Sequence, residues 1–160
     1  MPSGRRAGFV WSGSPTHKND SNRSIALSRL APLFTELARD SSLHAVSLQT
    51  EMRGVDRDAL RGLPNLIDLG DEIRDFSDTA AIISLLDVVV SVDTAVAHLA
   101  GALGKPVLIL LPFAADFRWM RVRGDTPWYP TATLLRQPAF GDWDSVLAGL
   151  ADEVRRRAGG

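Results

Sequence analysis

The sequence predicts an α/β fold with a mostly parallel sheet, and three observations support this prediction. Short apolar runs alternate with segments of helical periodicity along the whole chain. Two of these runs, VVVSV (88–92) and KPVLILLP (105–112), are apolar throughout, as is typical of strands that are buried on both faces of a parallel sheet. Between them lies TAVAHLAGALG (94–104), a small-residue segment that we expect to form the helix of a right-handed crossover.

The first half of the chain gives the weaker signals. AGFVW (7–11) is a short apolar run, and a polar loop rich in turn-forming residues follows it over 12–24. Apolar residues at helical spacings predict a helix over 24–40, although Pro32 interrupts them, and Ser24 is its expected N-cap. The remaining strand candidates of this half are HAVSLQ (44–49) and LIDLG (66–70).

The second half gives stronger signals. SDTAAIISLLD (77–87) predicts a helix that is capped by Ser77, and Gly104 is suited to the C′ position that ends the helix at 94–104. ATLLRQ (132–137) is a last strand candidate. The closing segment DWDSVLAGLADEVRRRAG (142–159) predicts one amphipathic helix with arginines in its last turn, where the helix dipole favours them. The sheet should therefore have about six strands.

Composition limits the class of protein. The 160 residues suit a single domain over 1–160, and the net charge of −1 gives no electrostatic reason to expect nucleic acid or an anionic membrane as partner. The absence of cysteine excludes disulfides, thiolate zinc sites and a cysteine nucleophile. There is no signal-peptide pattern, and no apolar run approaches the ~18 residues that span a bilayer. We therefore expect a soluble, cytoplasmic protein without a membrane span.

Ligands of parallel sheets bind beyond the carboxyl ends of the strands, so the segments after the strands are the candidate sites. Asp93 and Thr94 come directly after the strand at 88–92, where the start of the next helix presents unpaired N–H groups that suit a phosphate. His98 lies four residues after Thr94 and shares its helix face. A simpler interpretation stays open, in which Asp93 or Thr94 only caps the helix and His98 bonds a neighbouring side chain.

Other segments offer weaker candidates. The polar loop after the first strand holds Ser12, His17, Lys18 and Arg23, and a cation there would neutralise a diphosphate unless the loop is merely solvated. Gln49 ends the second strand. The long connection at 113–130 is aromatic and basic, so it either clamps a ligand or packs its rings on the domain. DEIRDFSDT (71–79) carries several carboxylates, but no histidine accompanies them at metal-ligand spacing, so we expect no metal site.

Taken together, these segments resemble one family, the C-terminal half of bacterial GT-B glycosyltransferases of the heptosyltransferase-like group (glycosyltransferase family 9-like). The versions found behind tetratricopeptide repeats in large bacterial proteins are the most similar. The resemblance covers roughly residues 7–155 and is most specific at DTAVAH (93–98) with GKP (104–106). WSG followed by HK, and PWYP followed by LLRQ, support it independently.

The resemblance implies a Rossmann-like, three-layer domain that forms one half of a GT-B fold and binds a nucleoside-diphosphate-sugar donor. The implied mechanism is inverting sugar transfer without a required metal or other cofactor. In the family, the first-loop lysine contacts the donor phosphate, and the Asp-Thr segment and its histidine surround the diphosphate. The donor-binding residues implied in this chain are Ser12, Gly13, Lys18, Gln49, Asp93, Thr94, Ala95 and His98.

Two departures from the family pattern bear on activity. Ala95 stands where heptosyltransferases usually have glycine, and its Cβ restricts the approach of a phosphate to the backbone. The acceptor-binding N-terminal half, which carries the usual catalytic base, is absent from 1–160, so catalytic residues stay unassigned and we expect little transfer by this domain alone. The alternative is a catalytically inactive nucleotide- or ligand-binding module, or a protein-interaction domain, of a larger repeat protein.

Overall fold

The computed structural model describes residues 1–160 and contains one six-stranded sheet whose strands are all parallel. The strand order is β3-β2-β1-β4-β5-β6. The predicted α/β class and the number of strands are therefore confirmed. The strands are β1 (Arg5–Val10), β2 (Leu43–Ser47), β3 (Leu66–Asp68), β4 (Val88–Val92), β5 (Val107–Leu111) and β6 (Ala132–Arg136).

Helices cover both faces of the sheet and make three layers. The helices are α1 (Asp20–Arg23), α2 (Leu27–Leu37), α3 (Gly54–Arg61), α4 (Phe76–Ser84), α5 (Ala95–Ala102), α6 (Trp143–Leu147) and α7 (Leu150–Ala158). Helices α2, α3, α6 and α7 lie on one face, and α4 and α5 lie on the other. Short 3-10 turns lie at Gly70–Glu72 and Phe117–Trp119.

The apolar strands divide their side chains between two cores because successive residues of a strand point to opposite faces. In β4, Val88 and Val90 pack in the core beneath α2 and α7, whereas Val89 packs beneath α4 and α5. All five residues of β4 and all five of β5 are buried. This two-sided burial explains why both strands are continuous apolar runs rather than alternating ones.

Two predicted helix starts are wrong, and in both cases an aspartate supplies the hydrogen bonds. The N-cap of α2 is Ala26 rather than Ser24, and the first helical amide, that of Leu27, donates to the buried Asp56 carboxylate at 2.9 Å. The N-cap of α4 is Asp75, whose carboxylate accepts hydrogen bonds from the amides of Ser77 and Asp78. Ser77 therefore lies inside α4 and does not cap it.

The closing segment forms two helices instead of the single helix predicted over 142–159. Gly149 adopts a left-handed φ of 73° and separates α6 from α7. Trp143 of α6 and Val154 of α7 are nevertheless both buried in the same core, so the predicted apolar face is present in two pieces. Helix α3 was not expected, since its only buried residue is the polar Asp56 and no apolar stripe marks it.

The strand order places a crevice between β1 and β4. From β1 the chain proceeds outwards through β2 and β3, and it then returns to start β4 on the other side of β1. At such a switch point the connections leave in opposite directions, which opens a ligand crevice at the carboxyl ends of the strands. None of the helices combines the length and the apolar composition that crossing a bilayer requires.

Candidate functional site

Two adjoining cavities lie at the carboxyl ends of β1 and β4. The first cavity has a volume of about 270 Å³ and lies between the segment after β1, the segment after β2 and the start of α5. The second cavity, of about 400 Å³, lies between the loop after β1, α5 and the segment after β5. Arg23, Thr94 and Ala95 line both cavities, so the start of α5 forms the boundary between them.

The start of α5 has no side-chain cap. Thr94 occupies the N-cap position with an extended backbone, but its hydroxyl bonds the Ser91 hydroxyl at 3.0 Å rather than a helix amide. The Asp93 carboxylate makes no hydrogen bond to the helix either, and it lies 4.0 Å from the Nε2 atom of His98. Because the first amides of a helix lack intrahelical partners, this end of α5 is open to an anion. Capping therefore does not account for the Asp93-Thr94 pair.

His98 is held in place by aromatic neighbours from the long connection. Its Nδ1 atom lies 2.8 Å from the Tyr129 hydroxyl, and its ring stacks on Trp119 with centroids 5.0 Å apart. The ring lines the second cavity. Tyr129 in turn packs on Gly101, where any Cβ would collide with its ring. Both interpretations of the histidine thus apply, because it bonds a neighbouring side chain and also faces a cavity.

Gln49 lines the first cavity, and its side chain is saturated by the protein. Its Oε1 atom accepts from the backbone amides of Trp11 and Ser12, each at 3.1 Å. Its Nε2 group donates to the carbonyl oxygens of Ser12 and Glu51 at 2.9 and 3.1 Å. The side chain therefore fixes the segment after β1 against the segment after β2, which makes Gln49 a positioning residue of the cavity wall.

Ser12 differs from Gln49 in having a free polar group. Its residue surface is only 2% exposed, and its hydroxyl has no hydrogen-bond partner. The residue lines the first cavity. A buried hydroxyl usually has a partner, so an unpaired one at a cavity wall indicates a place where a ligand atom would bond.

The two cations of the loop after β1 have different positions. Lys18 is exposed and lines neither cavity. Arg23, at the end of the single turn α1, is folded back so that its Nη1 group donates to the Asp93 carbonyl oxygen at 2.9 Å. Its guanidinium covers Gly13, where any Cβ would collide with it. The sequence places both cations in one loop, and nothing in their spacing distinguishes them.

The long connection after β5 both packs aromatic rings on the domain and lines a cavity, the two roles that its composition suggested. Trp119 is 1% exposed and Tyr129 packs against α5, so these rings belong to the domain. Arg118 lines the second cavity, with its Nε donating to Asp116 at 3.0 Å, and Phe117 and Trp128 are exposed. No group of three or more histidine, aspartate or glutamate side chains is arranged to hold a metal ion.

Comparison with known proteins finds a family match in the second half of the chain. The sequence model of glycosyltransferase family 9 (heptosyltransferase) matches residues 74–134, a segment that runs from the start of α4 into β6 and includes the start of α5. A curated protein, Protein FlbA of Caulobacter vibrioides, is 29% identical over 82 residues. That alignment covers 51% of this chain and 13% of FlbA.

Two solved structures share the fold. The E. coli heptosyltransferase WaaC with ADP-2-deoxy-2-fluoro heptose superposes with a TM-score of 0.63 at 19% identity, over 96% of this chain and 42% of WaaC. The glycosyl transferase family 9 from Veillonella parvula superposes with a TM-score of 0.57 at 14% identity, over 98% of this chain and 45% of the Veillonella chain. The chain thus spans less than half the length of these proteins. The predicted resemblance to the heptosyltransferase-like group and the predicted Rossmann-like fold are confirmed.

Proposed function

We propose that this domain binds the nucleoside-diphosphate-sugar donor of a glycosyltransferase, with the diphosphate at the start of α5. The observation that carries the proposal is the open helix start between two cavities, at the switch point between β1 and β4. The free N–H groups and the positive end of the helix dipole favour an anion there. The same residues lie within the segment that matches glycosyltransferase family 9.

The walls of the two cavities suit the two ends of such a donor. Leu48, Phe76 and Val96 give the first cavity apolar wall area, which suits the base of a nucleoside. The second cavity is lined by polar side chains, among them Asn19, Asp116 and Arg118. Because a sugar is bound chiefly through hydrogen bonds to its hydroxyl groups, we assign the sugar to the second cavity and the diphosphate to the boundary between them.

The proposed chemistry is inverting transfer with a nucleoside diphosphate as leaving group. Negative charge grows on the diphosphate oxygens as the glycosidic bond breaks, and donors aimed at those oxygens stabilise the transition state. Among the groups of this chain that line that position are the amides at the start of α5 and the His98 ring. They would neutralise the leaving group without a metal. Acceptor binding and proton removal would require a second half of the enzyme.

A catalytically inactive nucleotide-binding module is the second candidate, and one observation favours it. Ala95 is exposed at the start of α5 and lines both cavities, so its Cβ stands where the diphosphate would approach the backbone. Glycine at this position would permit a closer approach. In this case the domain would keep its affinity for the donor and lose transfer activity. A cytoplasmic location and a tetratricopeptide-repeat partner stay predictions under either candidate.

Calorimetric titration of the domain with UDP, GDP, ADP and their sugars tests the proposal. We expect at least one of these ligands to bind with a dissociation constant below the millimolar range. Failure of all of them to bind at millimolar concentration would contradict both candidates. Sugar transfer assayed with the longer natural protein, if such a protein contains this domain, would then separate the enzyme from the inactive module.

The variant His98→Ala sharpens the titration. We expect it to weaken binding of the nucleoside diphosphate about tenfold, since it removes one hydrogen bond to a charged group. The matched control is His44→Ala, because His44 lies near the amino end of β2 and contacts the Ser3 carbonyl, far from the cavities. Equal affinities of the two variants would remove His98 from the site.

A further inference from the structure

Resting on the proposed donor site, we propose that Arg23 is the side chain that grips the diphosphate, and that Gly13 is the residue that gives it room to do so. Arg23 lines both cavities, and its Nη1 group is bonded to the Asp93 carbonyl, directly before the N-cap of α5. Its side chain is only 12% exposed, so the protein surrounds it closely. The guanidinium thus lies beside the open start of the helix.

Most of the hydrogen-bonding capacity of Arg23 is unused. A guanidinium has five N–H donors in a planar fork. The bond from Nη1 to Asp93 is the only hydrogen bond of this side chain, and its Nε atom is buried without a partner. Phosphate oxygens match the fork and accept two parallel bonds from it, whereas a lysine offers a point charge. The free donors on the two Nη atoms therefore suit a phosphate in the cavities.

The carboxylate that pairs with Arg23 also pairs with a second cation. The buried Asp20 carboxylate is shared by two guanidiniums, since Arg53 bonds it and the Nε atom of Arg23 lies 3.7 Å from it. The Nε atom of Arg53 is also buried without a hydrogen-bond partner. Two cations that share one carboxylate are each incompletely paired, and an incompletely paired charge that is shielded from water is unfavourable. An anionic ligand at Arg23 would complete its pairing.

A second unpaired group lies in the same cavity wall. The Ser12 hydroxyl has no hydrogen-bond partner, although the residue is almost completely buried, and Ser12 lines the first cavity together with Arg23. This hydroxyl belongs to a different segment from α5 and from α1, so it is an independent indication of a polar ligand. A phosphate between Ser12, Arg23 and the start of α5 would satisfy all three.

Gly13 allows the position of the guanidinium to be tested separately from its charge. A Cβ at Gly13 would collide with the Nη2, Cζ and Nε atoms of Arg23. These atoms are the end of a flexible side chain, so Gly13→Ala should displace the guanidinium at little cost to the fold. Arg23→Gln removes the charge, and Lys18→Gln removes one charge from an exposed position of the same loop.

The experiment titrates wild type and the three variants with UDP, GDP and ADP, with the matching nucleosides and with inorganic pyrophosphate. We expect Arg23→Gln to weaken nucleoside diphosphate and pyrophosphate binding at least tenfold and to leave nucleoside binding unchanged. Gly13→Ala should weaken the same ligands several-fold, and Lys18→Gln should have a smaller effect than either. Arg23→Lys should be intermediate, because it keeps the charge and loses the fork.

Three outcomes would overturn the role of Arg23: unchanged binding by Arg23→Gln, unchanged binding by Gly13→Ala, or equal losses in Arg23→Gln and Lys18→Gln. If circular dichroism shows that Arg23→Gln does not fold, the binding data of Arg23→Lys and Gly13→Ala test the role of Arg23 instead. If wild type binds pyrophosphate through Arg23 but no nucleoside diphosphate, the anion site stands and the donor proposal fails. If wild type binds neither, both proposals fail.

Discussion

The loop after β1 (residues 11–26) and the connection between β5 and β6 (residues 112–131) face the same second cavity, yet different forces hold them. Hydrogen bonds of buried polar side chains fix the first loop. Packing of two aromatic rings, together with hydrogen bonds to β6 and to Gln137, fixes the long connection. The comparison shows how one edge of the sheet combines a rigid wall, suited to binding a phosphate, with a wall that leaves apolar side chains exposed.

Three polar side chains hold the first loop. Gln49 bonds the amides of Trp11 and Ser12, and Asp56 accepts from the Trp11 indole at 3.1 Å and from the amide of Leu27. Asp20 accepts from the Ser24 hydroxyl at 2.6 Å. Buried donors and acceptors are rarely left unpaired, so these bonds restrict the backbone to one arrangement. The Ser12 hydroxyl, which has no partner, is an exception in this loop.

The long connection is anchored by two aromatic rings and by hydrogen bonds to β6, such as those from Arg136 to the Trp119 carbonyl and from the Leu134 amide to the Gly124 carbonyl. Trp119 packs in the core beneath α4 and α5, and Tyr129 packs on α5. Between and around these anchors, several large apolar side chains are exposed. They are Phe113, Phe117, Met120, Val122 and Trp128. Packing of apolar groups is non-directional, whereas a hydrogen bond requires a defined distance and angle.

Removal of an aromatic anchor of the long connection should lower the free energy of unfolding most. Trp119→Ala should lower the free energy of unfolding by about 3–5 kcal/mol, because it leaves a cavity in the core. The exposed Trp128, whose indole donates only to the Arg118 carbonyl, is the matched control. Trp128→Ala should change stability by no more than about 0.5 kcal/mol. Urea unfolding would measure both, and similar values for the two would refute the division into anchor and exposed ring.

Removal of Asp56, a polar anchor of the first loop, should have the second largest effect on the free energy of unfolding. Asp56→Ala should lower the free energy of unfolding by about 3 kcal/mol, since it leaves the Trp11 indole and the Leu27 amide without partners in the core. Asp56→Asn keeps one acceptor oxygen and should cost less. Chemical denaturation of both variants provides the measurement. If Asp56→Ala and Asp56→Asn were as stable as wild type, the network would not be what holds this loop.

The smallest loss of stability should follow removal of the hydrogen bond between Tyr129 of the long connection and His98 of α5. Tyr129→Phe removes the hydroxyl that lies 2.8 Å from His98 and keeps the ring that packs on Gly101. We expect a loss of about 1 kcal/mol in unfolding free energy, typical of one hydrogen bond. Thermal unfolding would detect it. A loss as large as that of Trp119→Ala would show that this connection also depends on a polar bond.

The strands were the most predictable part of the fold. Each candidate strand overlaps an observed one. The clearest are β4 and β5, because a strand that is buried on both faces must be apolar along its whole length and that pattern is local. Gly104 indeed adopts a left-handed φ of 69° just after α5, as its C′ position required. The helix starts at Ser24 and Ser77 were predicted wrongly, because capping by a residue depends on a backbone conformation that its neighbours in space decide.

The sequence by itself determined the parallel sheet, the crossover between β4 and β5 and the position of Asp93, Thr94 and His98 at a strand end, since all of these follow from patterns between near neighbours in the chain. The tertiary structure alone decided that Arg23 rather than Lys18 lines the cavities, that Asp56 starts α2 and that Tyr129 holds His98. These pairings join residues far apart in the chain, Arg23 and Asp93 being 70 positions from each other. Only packing of the whole domain brings such residues within bonding distance.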